Sequence, residues 1–137
     1  MPCPKRTTNW KALDKVVAPY KDVWVGFDAQ ELVEDEDNIL LTDGENNYAL
    51  FEYEAPGIYY GHYMFSARGI DNTEKIARNL LGFFFETVSC LGVIGLVPVN
   101  HAGSLRLTQR LGFTLSGVVE TEAGPHYEFY MKKEDFK

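Results

Sequence analysis

Ser104-Leu105-Arg106-Leu107-Thr108-Gln109-Arg110-Leu111-Gly112-Phe113 decides how this chain folds. It reads as a helix over Ala102 to Leu111, closed by Gly112 at positive φ, with Phe113 turned back onto a core. Just before it, Val93 to Val99 is almost wholly apolar, the pattern of a strand inside a sheet. Further upstream, Ile76, Leu80, Phe83, Phe84, Val88 and Leu91 recur at helical spacing. Asn72 or Thr73 is expected to cap that long helix, and Gly92 to stop it. Ahead of it stand three strands: Ile39 to Thr42, Tyr48 to Tyr53 and Ile58 to Ser66. Asp43-Gly44-Glu45-Asn46-Asn47 and Ala55-Pro56-Gly57 supply the turns between them. Alternation puts Tyr59, Gly61, Tyr63 and Phe65 on one side of the third strand, and Ile58, Tyr60, His62 and Met64 on the other. Downstream, Leu115 to Thr121, a Gly124-Pro125 turn and Tyr127 to Met131 form a closing hairpin. The order is β-β-β-α-β-α-β-β, an α+β fold with a mixed sheet.

The first 37 residues are less patterned. Residues 1–8 read as a loose tail. Trp10, Leu13, Val16 and Val17 fit a short amphipathic helix ended by Pro19. Val23 to Phe27 fits a short strand, and Asp28 to Asp37 a short helix or loop. There is no repeat and no low-complexity linker, so one domain over 1–137 is expected.

Composition narrows the function. The 137 residues are 45% hydrophobic and 14% aromatic, which excludes a disordered chain. No apolar run reaches 18 residues, so no membrane helix is expected. The N-terminal residues lack the apolar core of a signal peptide, which points to the cytoplasm. A net charge of −7 and a pI near 4.9 argue against nucleic acid as a partner. Two cysteines, Cys3 and Cys90, make neither a disulfide framework nor a zinc site. Asp22 to Ala67 carries 11 acids and no Lys or Arg, whereas Arg68 to Arg110 carries five bases and three acids. An acidic half suits a cationic partner, and a basic middle an anionic one.

The meander running into Arg68-Gly69, the apolar strand Gly95-Leu96-Val97-Pro98-Val99, and the helix ending in Leu111-Gly112-Phe113 together resemble the GNAT superfamily of N-acyltransferases over about residues 38–131. The resemblance implies a GNAT-like fold and acetyl-CoA as co-substrate. It places the pyrophosphate on the turn Arg68 to Thr73, held by Arg68, Gly69, Asn72 and Thr73. It pairs the backbone of Phe65 and Ser66 with the pantetheine arm. The physics agrees, because free N–H groups at a helix N-terminus suit a phosphate. Four positions depart from the family pattern. Ser66 stands where a basic residue or Gln is usual, and His101 where the family has an Asn before the last helix. Asp71 stands where a second glycine is usual and is expected to face the phosphates. Thr108 stands where a Tyr often protonates the leaving thiolate, and a threonine hydroxyl cannot serve as that acid.

Transfer to an amine needs a base. Glu52, Glu54 and His62 are candidates, with His62 preferred for its strand position and its ordinary pKa of about 6.5. Solvent, or a Tyr of the meander such as Tyr63, is expected to replace the missing acid. His101 is expected to cap the last helix, and His126 to sit solvated in a turn. The first functional reading is an acetyl-CoA-dependent N-acetyltransferase acting on a small amine, a protein lysine or a protein N-terminus. The alternative is a catalytically silent GNAT-like assembly or interaction protein, of the kind found in phage head assembly, with a homo-oligomer or assembly partner.

Overall fold

The computed structural model describes residues 3–20, 22, 24 and 26–136. Seven strands form one sheet in the order β1 (Lys5–Arg6), β2 (Ile39–Thr42), β3 (Asn47–Ala55), β4 (Ile58–Phe65), β5 (Gly92–Pro98), β7 (Gly124–Lys132) and β6 (Thr114–Thr121). Neighbours are antiparallel except β4 and β5, which are parallel. Helices α1 (Trp10–Val17) and α2 (Ala29–Glu34) pack on one face. Helices α3 (Ile70–Thr87) and α4 (Ala102–Leu111) pack on the other.

Strand alternation divides the core in two. Ile39, Leu41, Ala49 and Phe51 face α3 together with Val93, Val97, Phe129 and Met131. Leu40, Tyr48, Leu50 and Met64 face α1 and α2. Because both faces are covered there, β2 is buried at every position and reads as a continuous apolar run. Phe84 of α3 stacks on Phe51 with centroids 3.8 Å apart and planes 10° apart. Burying such a ring contributes roughly 1.5–3 kcal/mol. Three successive phenylalanines cannot share one helix face. Phe85 accordingly turns to Phe136 near the C-terminus, with ring centroids 5.4 Å apart.

The structure corrects several sequence expectations. The tail is tied down in its second half. Lys5 and Arg6 pair with Thr42 and Leu41, and Arg6 Nη2 donates to Asn38 O at 3.1 Å. Of the expected strand Val23 to Phe27, Val23 and Val25 lie outside the described residues, while Trp24, Gly26 and Phe27 belong to no strand. The long helix starts at Ile70, with Gly69 as its N-cap at φ 89°, so neither Asn72 nor Thr73 caps it. Only a residue at ease in that conformation turns the chain so abruptly from β4 into α3. The same helix ends at Thr87, not at Gly92, and Leu91 is an exposed loop residue. In the closing hairpin the turn is Glu122 and Ala123. His126 therefore lies within β7 and is buried, rather than solvated in a turn.

The C-terminus of α4 is as expected. Gly112 adopts φ 95° and ψ 16°, its N–H bonds the Gln109 and Thr108 carbonyls, and Phe113 is buried. Among the described residues no helix is long and apolar enough to cross a membrane.

Candidate active site

The parallel pair β4 and β5 holds together for only three residues, Ile58 to Tyr60 against Gly92 to Ile94. Beyond Tyr60 each strand follows its other neighbour. β4 stays with β3 as far as Phe65 opposite Asn47, and β5 stays with β7 as far as Pro98 opposite His126. The two strands splay, and the fork opens a cleft of about 990 Å³. That is the upper end of the size common for small-ligand sites.

One wall of the cleft comes from β4 and the turn that follows: Gly61, His62, Tyr63, Phe65, Arg68, Gly69 and Thr73. The opposite wall is Gly95 to Pro98 with His101, Ser104, Arg106 and Thr108 of the α4 region. The turn between β6 and β7 and His126 close one end. Of the residues singled out in sequence, the fork therefore gathers His62, Tyr63, Phe65, Arg68, Gly69 and Thr73. Ser66 and Asn72 lie outside it, on smaller grooves. The Ser66 N–H already bonds Asn46 O at 3.2 Å and Asn47 Oδ1 at 3.0 Å, so it is not open to a ligand. Asn72 turns its side-chain amide back toward Arg68 O at 3.5 Å.

The turn Ser66 to Gly69 feeds directly into α3. The first intrahelical backbone bond runs from Thr73 N–H to Gly69 O at 2.9 Å. The N–H groups of Ile70, Asp71 and Asn72 precede it and have no helical acceptor. A Cβ built on Gly69 meets nothing within 4 Å, so this corner of the turn is open. Arg68 braces the turn from within. Its Nη1 donates to the carbonyls of Phe65, Ser66 and Ala67, each at 3.1 Å, and its guanidinium lies over the Tyr20 ring at 5.3 Å.

Asp71 does not face this corner. Its Oδ1 accepts from Arg110 Nη2 at 3.0 Å, and Arg110 Nε also meets Glu74 Oε1 at 2.7 Å. Glu74 in turn pairs with Arg78 at 3.1 Å. Two bases of the basic middle are thus spent on clamping α3 to α4. Arg106, which sequence reasoning passed over, lines the cleft instead.

His62 and Glu52 form the polar pair of the cleft, Nε2 to Oε1 at 3.2 Å. The hydrogen bond from His62 holds the Glu52 carboxyl below its ordinary value, against the opposing effect of burial. Trp24 packs edge-on to the imidazole at 5.9 Å. A neutral imidazole that donates Nε2–H to the Glu52 carboxylate carries its lone pair on Nδ1.

Tyr63 points the other way through the sheet. Its hydroxyl is buried without a hydrogen-bond partner, and burial pushes its pKa strongly up. Thr108 is buried too, and its hydroxyl donates to Ser104 O at 2.8 Å. His101 caps α4 as expected, its Nδ1 accepting from the Ser104 N–H at 3.1 Å. His126 Nδ1 lies 2.9 Å from Gly124 O.

Among the described residues, a seven-stranded sheet forked between its one parallel pair, with a glycine turn into a helix at the mouth, defines the GNAT fold. The comparisons agree. The chain superposes on the aminoglycoside acetyltransferase AAC(6′)-Ib in complex with coenzyme A with a TM-score of 0.74. That match has 16% identity and covers 97% of this chain and 95% of the other. A spermidine N-acetyltransferase variant, SpeG from Vibrio cholerae, gives a TM-score of 0.74 at 9% identity, over 96% of this chain and 93% of that one. A ribosomal-protein-S5-alanine acetyltransferase from Vibrio fischeri gives 0.56 at 14% identity, over 73% and 63%. No family model and no curated protein matches the chain by sequence.

Proposed function

We propose that this protein is an acetyl-CoA-dependent N-acetyltransferase acting on a small amine or on a protein lysine or N-terminus. The observation that carries the reading is the fork: unpaired strand edges beyond Tyr60 lead into an open helix N-terminus at Gly69. A pantetheine arm would lie along β4 as far as Phe65. The pyrophosphate would meet the N–H groups at the start of α3, between Gly69 and Thr73. Arg68 supports the turn that presents them, and its positive charge would favour an anion nearby.

The acceptor would enter on the face that carries His62, Glu52 and Trp24. His62 Nδ1 takes the proton of the ammonium, and Glu52 steadies the imidazolium that forms. The amine lone pair attacks the thioester carbonyl, the C–S bond breaks, and the thiolate leaves. Tyr63 would give that sulfur its proton, and the second proton lost by the acylated nitrogen would return to the phenolate oxygen. Burial keeps the phenol protonated, and its hydroxyl has no hydrogen-bond partner among the described residues. The acids of residues 22–67, Glu52 among them, favour a cationic acceptor.

A second reading, a silent GNAT-like assembly protein, is favoured by Thr108, whose hydroxyl is tied to the helix backbone and leaves α4 without an acid. One measurement separates the two. Acetyl-CoA at about 100 times its dissociation constant should stabilise the protein by roughly 2.7 kcal/mol. For a domain of this size that is several degrees in melting temperature. Transfer of the acetyl group to an amine panel should accompany it. No thermal shift with acetyl-CoA or CoA at millimolar concentration overturns the enzyme reading. A shift without transfer to any amine favours the silent one.

A further inference from the structure

We infer that Asn47, on the hairpin between β2 and β3, is the positioning residue of the ligand turn Ser66 to Gly69. The inference rests on the reading of the start of α3, which that turn feeds, as the phosphate site. Asn47 is only 3% exposed, and every polar atom of its side chain is used. Its Oδ1 accepts from the N–H groups of both Ser66 at 3.0 Å and Ala67 at 3.1 Å. Its Nδ2 donates to Asp43 Oδ2 at 2.9 Å and to Glu45 O at 3.3 Å. Ser66 Oγ also donates to Oδ1, at 3.5 Å. The amide orientation is fixed by its neighbours, since oxygen meets only donors and nitrogen only acceptors.

Asp43 is buried as well, and its other oxygen accepts from the Glu45 N–H at 2.8 Å. Asn46 adds a backbone bond, its carbonyl accepting from Ser66 N–H. The hairpin is thus built around a carboxylate that holds an amide, which holds the turn. Sequence separation between Asn47 and Ser66 is 19 residues, so this is a tertiary clamp and not a local turn motif. It acts where β4 leaves the sheet, at the point that sets where Arg68 and Gly69 stand. A turn that presents backbone N–H groups to an anion works only when it is held in place beforehand.

The test uses four proteins: wild type, Asn47→Ala, the double variant Asp43→Asn with Asn47→Ala, and the exchange Asp43→Asn with Asn47→Asp. The second double variant swaps the two groups, placing the carboxylate at position 47 to accept from the turn and the amide at position 43 to donate to it. The first removes the clamp without stranding a buried charge, which keeps the test usable if Asn47→Ala alone unfolds. Two readouts are taken: amide hydrogen exchange at Ser66 and Ala67 in the free protein, and affinity for CoA against affinity for pantetheine, which lacks the pyrophosphate. Loss of the clamp should speed exchange at both amides. It should weaken CoA by about 10- to 100-fold with pantetheine affinity unchanged. The exchange variant should recover both. If CoA affinity is unchanged on loss of the clamp, or CoA and pantetheine weaken alike, the positioning role is overturned. A wild-type protein that binds no CoA overturns the phosphate reading itself, and this role with it.

Discussion

His62 Nε2 and Glu52 Oε1 meet at 3.2 Å across the β3–β4 pair. In register, His62 stands opposite Leu50 and Glu52 opposite Tyr60, so the two are diagonal neighbours on one face of the sheet. The pair faces the cleft, and both side chains keep partial contact with solvent.

The pair makes a prediction about pH. Glu52 has a lowered pKa in the folded protein. Its contribution to stability is then present above the unfolded carboxylate value and is lost as pH falls through the lower folded one. Wild type should melt above Glu52→Gln at neutral pH, and the gap should close below about pH 4. Melting curves from pH 3 to 8 check this. Parallel curves for the two proteins would show that the pair adds nothing to folding.

Asp71 carries a second prediction. In sequence it stands where a glycine is usual in the family, and an acid there looked set to repel phosphates. The structure instead pairs it with Arg110, with its side chain 83% exposed. Asp71→Asn should therefore change CoA affinity less than about twofold and cost at most about 1 kcal/mol of stability. Isothermal titration and thermal melts measure both. A large gain in affinity would show that the carboxylate opposes the ligand after all.

Gly112 is predicted to be structural. At φ 95° a β-branched side chain is strained, although the nearest atom to a Cβ there is Met131 Cε at an unstrained 3.6 Å. The cost of Gly112→Val is therefore backbone strain rather than a clash, about 1 kcal/mol or more. The variant should melt lower and bind CoA as wild type does. Unchanged melting with lost binding would assign Gly112 to the site.

The parts of the fold legible in sequence are those with one dominant signal. The α4 stretch up to Leu111-Gly112-Phe113 has a helix period and a residue that prefers the left-handed conformation. The strand over Val93 to Val99 has an unbroken apolar run. The start of α3 was misplaced because Asn72 and Thr73 are good caps by type, yet Thr73 Oγ1 bonds back to Gly69 O at 3.0 Å. Gly69 starts the helix through its backbone alone, which leaves no side-chain signature. β1 is two residues long, too short for any periodicity. On β4, alternation separates His62 from Tyr63, and both line the cleft. Glu52 was legible as a candidate base, but its pairing with His62 was not. Trp24 and Arg106 come to the cleft from distant parts of the chain, and Asn47 reads in sequence only as a turn residue.

Tyr63 yields the sharpest prediction, because its two expected effects have opposite signs. Its hydroxyl is buried and unpartnered in the free protein. A buried polar group without a partner costs roughly 1–3 kcal/mol, so Tyr63→Phe should fold at least as stably as wild type. If the hydroxyl protonates the departing thiolate, the same change should slow single-turnover acetyl transfer by about 10²–10⁴. A structural tyrosine has no reason to do both. Thr108→Tyr is the companion variant. It places a phenol on α4, on the opposite wall of the cleft, and should raise the rate of Tyr63→Phe while adding less to wild type. Rapid-quench transfer to an amine panel, with thermal melts of the same four proteins, measures each term. A stable Tyr63→Phe that transfers at the wild-type rate would leave the thiolate to be protonated by solvent and remove Tyr63 from the chemistry.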